Sequence, residues 1–146
     1  MTSVEITAQN LVERLRLAFP EIEDRYQEEL RSWNGESPGN YNIFAFVFKP
    51  FLRAELGGEN NNDFLVRFCE FMEQVCTSQD KEAVNVLWLK IFKLLLADAA
   101  TMKRLWPFMG ASTKANLADA ALRWGMVRSV PAGSLIDGLK HWVGLE

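Results

Sequence analysis

The sequence contains one histidine and two cysteines among its 146 residues. A lone histidine, His141, cannot supply the ligand cluster of a zinc or iron site, and no C-x-x-C or H-E-x-x-H spacing accompanies it. Cys69 and Cys76 fall seven residues apart on one predicted helix, about 10 Å along its axis, which is beyond disulfide reach. We therefore expect no cofactor, no metal site, two reduced core thiols and a surface or interfacial His141.

The sequence also lacks targeting and membrane signals. Its first residues, MTSVEITAQN, contain no basic region followed by an apolar run, which is the pattern of a secretory signal peptide. No apolar run of about 18 residues is free of charge, and a membrane-spanning helix needs such a run. These features predict a soluble, cytoplasmic protein without a membrane partner.

Recognisable catalytic arrangements are missing as well. The glycines at 57–58 and 35–39 neither follow a predicted strand nor precede G-K-[ST], so they are not phosphate loops. The segment 110–114 could present helix-start amides to an anion, but an ordinary helix cap explains it better. The serine, cysteine and lysine residues lack a base partner that would activate a nucleophile. We expect that the protein is not an enzyme.

Apolar residues are plentiful, and they predict a folded helical domain. Hydrophobic residues make up 49% of the chain, which includes ten Phe and five Trp, and disordered chains carry far less apolar surface. The length suits a single domain over 1–146. Helical periodicity predicts an all-α fold, a compact irregular bundle of seven or eight helices. The predicted helices are Thr2 or Thr7 to Phe19, 20–33, 41–56, 63–76, 80–100, a short helix ending at Pro107, Ser112 or Thr113 to Gly125, and one starting at Ser134.

The central helix is expected at 80–100, DKEAVNVLWLKIFKLLLADAA, the most apolar stretch of the chain. Its polar stripe is narrow, so several neighbouring helices must cover the rest of its surface. The residues predicted to share that stripe are Glu82, Val86, Lys90, Lys93 and Ala97. On the apolar side, Asn85 is expected to be buried and to bond an adjoining helix or loop end. Trp88→Ala should cost about 3–5 kcal/mol if Trp88 is fully buried.

One further segment allows two interpretations. In 41–56, Phe44, Phe46 and Phe48 are spaced by two, which is also the spacing of one face of a strand. Pro50 and the sequence FLRAEL after it suit a kinked or restarted helix that ends at the glycines 57–58. We therefore predict a helix here.

Charge is distributed unevenly along the chain. Residues 1–80 contain fourteen Asp or Glu and seven Lys or Arg, whereas residues 81–146 contain five and nine. This asymmetry predicts an acidic face and a separate, weakly basic face. Nucleic-acid binding is disfavoured, because phosphate contacts require concentrated Lys and Arg and the sequence pI is about 5.3.

Four segments carry a family resemblance: FPEIEDRY (19–26), YNIFAFVFKPFLRAEL (41–56), FLVRFCEFMEQV (64–75) and EAVNVLWLKIFKLLL (82–96). In these the chain resembles a family of small all-helical bacterial proteins of undefined function. Some members of that family look like immunity proteins, encoded beside secreted or contact-delivered toxins. The resemblance implies an all-α cytoplasmic binding protein, and it supplies no catalytic residues.

Together these observations predict an antitoxin that neutralises a cognate toxin with a basic surface. The alternative is an intracellular scaffold or regulatory module without a toxin partner. Carboxylates on the second helix should face solvent, opposite its apolar seam, and form an acidic surface. The residues predicted to bind the partner are the carboxylates Glu21, Asp24, Glu28, Glu36, Glu55 and Glu59 and the aromatic anchors Tyr26, Trp33 and Tyr41.

Overall fold

The computed structural model describes residues 5–126 and 129–131. Over these residues the chain forms seven helical segments and no strand, which confirms the predicted all-α bundle. None of the helices described is long and apolar enough to cross a membrane. The helix predicted from Ser134, and His141 on it, lie outside the described residues.

Several of the α-helices are preceded, interrupted or continued by a short 3-10 or π-helical segment. The segments are α1 (Leu11–Ala18); a 3-10 turn (Pro20–Ile22) leading into α2 (Glu23–Ser32); α3, made of Asn40–Ile43, a π-helical Phe44–Phe48 and Lys49–Leu56; α4 (Asn62–Cys76); α5, made of Lys81–Leu87, a π-helical Trp88–Phe92 and Lys93–Leu96; α6 (Ala99–Leu105), continued by a 3-10 turn (Trp106–Phe108); and α7 (Ala111–Trp124).

A cluster of phenylalanine rings lies at the centre of the bundle. The ring of Phe19, which follows α1, is 5.1 Å from that of Phe48 in α3. It is also 5.8 Å from the Phe64 ring and 5.7 Å from the Phe71 ring, both in α4. Phe19 and Phe48 are completely buried. Rings at these separations attract one another beyond the gain from burial, so the cluster ties α1, α3 and α4 together.

The central helix α5 contacts α3, α4, α6 and α7, as its narrow polar stripe predicted. Asp80 caps its start by accepting a hydrogen bond from the Glu82 amide. Its predicted end was wrong. α5 stops at Leu96, and Asp98 caps α6 by accepting hydrogen bonds from the Ala100 and Thr101 amides. An Asp side chain competes with helical bonding and favours a new helix start at this position.

The predicted faces of α5 were also partly wrong. Val86 is buried rather than part of the polar stripe, and Leu89 is 40% exposed. The π-helical turn at Trp88–Phe92 adds one residue to the turn, which rotates every later side chain around the axis. Leu89 lies within this turn, and the buried residues from there on are Ile91, Phe92, Leu95 and Leu96. Val86 precedes the turn, so its burial is a separate departure from the predicted stripe.

Trp88 and Asn85 are also less buried than predicted. Trp88 is half-buried and its indole N–H donates to Asn116 Oδ1 at 2.9 Å. Asn85 is exposed, although its amide does bond another helix, donating to the Tyr41 hydroxyl at 3.0 Å. The condition of full burial for the Trp88→Ala estimate is therefore not met.

α3 is a helix, as predicted. Phe44 and Phe48 are fully buried while Phe46 is 55% exposed, which excludes the strand alternative that would place all three on one face. Two predicted helix starts were wrong: α1 begins at Leu11, after a turn in which the Thr7 amide donates to Asn10, and α7 follows Gly110 rather than Ser112 or Thr113. α4 begins at Asn62, one residue before its predicted start. The predicted stop at Gly125 is confirmed, with φ of 68°.

Both cysteines are free thiols, as predicted. Burial raises the pKa of Cys69 and of Cys76 to about 12. Because the thiolate is the nucleophile, we expect native protein at pH 8 to react with iodoacetamide on the order of 10³ times more slowly than protein unfolded in urea. Mass spectrometry of quenched samples measures this rate. Equal rates with and without urea would contradict the burial of Cys69 and the partial burial of Cys76.

Candidate binding surface

The predicted acidic surface is built on α2, which lies on the outside of the bundle. No residue of α2 is buried, and its half-buried Tyr26 packs against the core. The 3-10 turn before α2 buries Ile22, which fixes the start of the helix. Pro20 suits that turn because its ring already has the required φ. α2 therefore exposes a polar surface over most of its length.

Glu21 is held by an arginine of another helix. Arg67 of α4 donates to both Glu21 carboxylate oxygens, at 3.0 and 2.6 Å, and also to the Ala18 carbonyl. The hydrogen bond from Arg67 holds the pKa of Glu21 below its usual value. Glu55 and Asp63 are also close enough to raise the pKa of Arg67. Glu21 is thus paired with Arg67, whereas Glu55 and Asp63 act on that arginine only through the field of their charges.

A second arginine holds the next carboxylate. Arg16 of α1 forms an ion pair with Glu23 at 2.6 Å, and its guanidinium lies 4.2 Å from the ring centroid of Tyr26. The hydrogen bond from Arg16 lowers the pKa of Glu23. Sequence reasoning missed both arginine contacts. The spacing from Arg16 to Glu23 spans the turn at Pro20, so helical periodicity does not predict that they meet.

Asp24 and Glu28 differ from their neighbours on α2. Both side chains are exposed, and neither forms an ion pair with a described residue. They are four residues apart, so they lie on the same side of the helix. Glu36 is likewise exposed in the loop after α2, and Glu59 in the loop after α3. Asp24 and Glu28 are therefore an adjacent pair of uncompensated carboxylates.

The three predicted aromatic anchors are half-buried, and each already has a partner within the chain. Tyr26 is covered on one ring face by Arg16, as described above. The Trp33 indole N–H donates to Glu29 at 2.8 Å. The Tyr41 hydroxyl accepts from Asn85 of α5, so its contact is with α5 rather than α2. By helical spacing Tyr26 and Trp33 lie on the side of α2 away from Asp24 and Glu28, and Tyr26 packs against the core. The contacts of Tyr41 connect it to a different part of the molecule.

Asn85 lines a groove of about 460 Å³ between α5 and α7. Trp88 forms part of its wall, with its ring 5.8 Å from that of Trp124. Lys81, Asp119 and Arg123 supply charges of both signs at its rim.

Among the described residues, no group of three or more His, Cys, Asp or Glu is placed to hold a metal ion.

The helix start at 110–114, considered above as a weak anion site, is filled by the protein itself. Glu73 of α4 accepts hydrogen bonds from the amides of Ser112 and Thr113, at 3.1 and 2.8 Å, and from the Thr113 hydroxyl at 2.8 Å. A carboxylate at a helix N-terminus is favoured by the exposed amides and the helix dipole. This contact replaces the ordinary cap expected from the sequence.

Comparison with known proteins identifies the family. No curated protein and no solved structure matches the chain. A family model described as a domain of unknown function, DUF7674, matches residues 12–125, which include α1 to α7 apart from Leu11. The chain therefore belongs to the DUF7674 family.

Proposed function

We propose that this protein is a bacterial immunity protein that binds and neutralises a cognate toxin through the acidic surface of α2. The observation that supports the proposal is the exposed pair Asp24 and Glu28, which has no cationic partner among the described residues. Half-buried Tyr26 and Trp33 lie on the same helix or directly after it. Charged positions around aromatic anchors are typical of protein interfaces.

The arrangement of α2 suits rapid capture of a basic surface. Uncompensated carboxylates accelerate the encounter with a positively charged partner, and a toxin that acts on nucleic acid usually presents such a surface. Glu21 and Glu23 are held in place by Arg67 and Arg16. Side chains that are already ordered lose less entropy on binding. Asp24 and Glu28 would therefore steer association, while the ordered residues around them would form the contact.

Co-expression tests the function itself. An immunity gene should lie next to the gene of a large toxin with a variable C-terminal domain, and we expect this protein to rescue cells that express that domain. Purified protein should form a stable complex with the domain and leave it chemically unchanged. Failure to rescue and to bind would reject the proposal and favour the scaffold alternative. Rescue with chemical modification of the toxin would indicate an enzyme instead.

Reversing the free carboxylates should slow association. We expect Asp24→Lys with Glu28→Lys to reduce the association rate constant for the toxin domain about tenfold at low salt, with a smaller change in the dissociation rate. Surface plasmon resonance at two salt concentrations measures both rates. Glu70→Lys with Glu82→Lys is the matched control, because it reverses the same number of exposed carboxylates on α4 and α5. Equal rates for the two double variants would exclude the α2 surface.

A further inference from the structure

A second exposed surface, of the opposite charge, lies where α3 and α5 run side by side. The two π-helical segments, Phe44–Phe48 and Trp88–Phe92, pack against each other. Each leaves one large apolar side chain in solvent, Phe46 at 55% and Leu89 at 40% exposure. Each of the two segments thus contributes one exposed apolar side chain.

Four cations follow these apolar side chains along the same two helices. They are Lys49 and Arg53 of α3 and Lys90 and Lys93 of α5. Lys49 and Arg53 are one turn apart on α3, Lys90 and Lys93 are one turn apart on α5, and the π-helical segments of the two helices are in contact. Burial, followed by repulsion from the other three cations, lowers the pKa of Lys49. None of them forms an ion pair with a carboxylate of the described residues. No carboxylate therefore balances these charges, although the Lys93 ammonium lies 5.2 Å from the ring centroid of Trp124 in α7.

Beyond the cations, the two helices border a groove of about 210 Å³. Leu56 of α3 and Leu94 of α5 line it, with Arg53 on the same wall. Asp98 also lines the groove, but its carboxylate accepts from the Ala100 amide and the Thr101 hydroxyl at the start of α6. Along about ten residues of α3, or roughly 15 Å, the side chains of this surface are therefore apolar, then cationic, then apolar again.

We propose that this α3–α5 surface binds an amphipathic helix of another protein, one whose apolar stripe is bordered by Asp and Glu. Two apolar contact points roughly 15 Å apart match side chains about ten or eleven residues, or three turns, apart on one face of such a helix. The cations between them would pair with its carboxylates. The inference uses the cations of α3 and α5 and none of the carboxylates of α2, so it does not depend on the proposed function, although α2 packs against the π-helical segment of α3.

Other anionic partners fit the surface less well. A membrane-binding patch inserts its apolar side chains and keeps the cations at the headgroups around them, whereas these cations separate two apolar contact points. A long polyanion would also meet the rest of a protein whose net charge is −3, and the carboxylates of α2 would repel it. A short acidic helix would contact only the α3–α5 surface, where the four cations make the local potential positive.

A defined peptide tests the inference with the full-length protein. The probe is a fluorescein-labelled, amidated 16-residue peptide of Leu and Glu, with Leu at helical i, i+3, i+4 and i+7 positions. We expect saturable binding by fluorescence anisotropy, and at least roughly tenfold weaker binding of a scrambled peptide of the same composition. Lys90→Glu with Lys93→Glu should weaken binding of the amphipathic peptide about tenfold or more. Phe46→Ser should also weaken it.

The matched control is Arg31→Glu with Lys103→Glu, which changes the net charge equally on α2 and α6, and it should alter binding less than about twofold. The inference is overturned if the peptide does not bind, if the scrambled peptide binds equally, or if both double variants lose binding equally.

Sedimentation with vesicles of phosphatidylserine and phosphatidylcholine tests the membrane alternative. Vesicle binding that Lys90→Glu with Lys93→Glu abolishes, without peptide binding, would assign the surface to lipid. Crosslinks from Phe46→Cys protein to residues 132–146 of the same chain, with no peptide binding, would assign it to that segment.

Discussion

Replacing Phe19 with alanine should lower the free energy of unfolding by about 3–5 kcal/mol. Phe19 is completely buried, and its ring contacts the rings of Phe48, Phe64 and Phe71 within 6 Å. The substitution removes the burial energy of the ring and leaves a cavity where α1, α3 and α4 meet. A domain of this size is stable by only about 5–15 kcal/mol, so the loss is a large fraction of the total.

Chemical denaturation followed by tryptophan fluorescence measures this effect at pH 7. Phe46→Ala is the matched control, because it deletes the same ring at a position that is 55% exposed. We expect it to cost less than about 1 kcal/mol. Phe19→Ala and Phe46→Ala variants of equal stability would mean that the phenylalanine cluster does not form the centre of the core.

Replacing Glu73 with alanine should cost about 2–3 kcal/mol. The Glu73 carboxylate accepts three hydrogen bonds at the start of α7, two from amides and one from a hydroxyl. Alanine leaves these partly buried donors without an acceptor and removes the negative charge next to the helix N-terminus. Glu70→Ala is the control, because Glu70 is exposed on the same helix, α4. It should change stability by less than about 0.5 kcal/mol.

The contribution of Glu73 should also depend on pH. Burial alone would raise the pKa of Glu73, but the hydrogen bonds from Thr113 and Ser112 outweigh it and hold that pKa below the usual 4.5. A carboxylate whose pKa is lowered by folding stabilises the native state above its unfolded pKa. That stability is lost as the pH falls through the lowered, folded pKa. The difference between wild type and Glu73→Ala should therefore be constant from pH 6 to 8 and shrink below pH 4.5.

Gly110 offers an independent test of the same contact. A β-carbon at this position would overlap the Glu73 carboxylate, whereas the φ of −79° is open to any residue. Gly110→Ala should therefore destabilise the protein by displacing Glu73, and it should add little in a Glu73→Ala background. Additive losses in the double variant would show that the two residues act separately.

Binding data will separate the two proposed surfaces. The α2 carboxylates would attract a basic partner, and the α3–α5 cations would attract an acidic helix. The charge asymmetry between 1–80 and 81–146 anticipated two faces of opposite sign. It did not predict that the basic surface would combine residues from both halves, Lys49 and Arg53 with Lys90 and Lys93. The same double variants, tested against both partners, should affect only one interaction each.

Helix positions could be predicted because they depend on local periodicity. The apolar spacing in 41–56 and 63–76 located α3 and α4 to within one residue, and Asp80 and Gly125 marked the start of α5 and the end of α7. The exposed carboxylates Asp24 and Glu28 also followed from their place opposite the apolar seam of α2. These features require only the 3.6-residue repeat and the chemistry of helix ends.

The sequence by itself determined the all-helical class, the free thiols and the acidic character of α2, because composition and short-range spacing carry that information. Only the tertiary structure decided which charges remain uncompensated. Arg67 reaches Glu21 and Glu73 reaches the start of α7 across 46 and about 40 residues of chain. The π-helical turns of α3 and α5 likewise form where the two helices pack together, and they set which side chains face solvent. Contacts between distant residues depend on how the helices are arranged, and no local pattern encodes that arrangement.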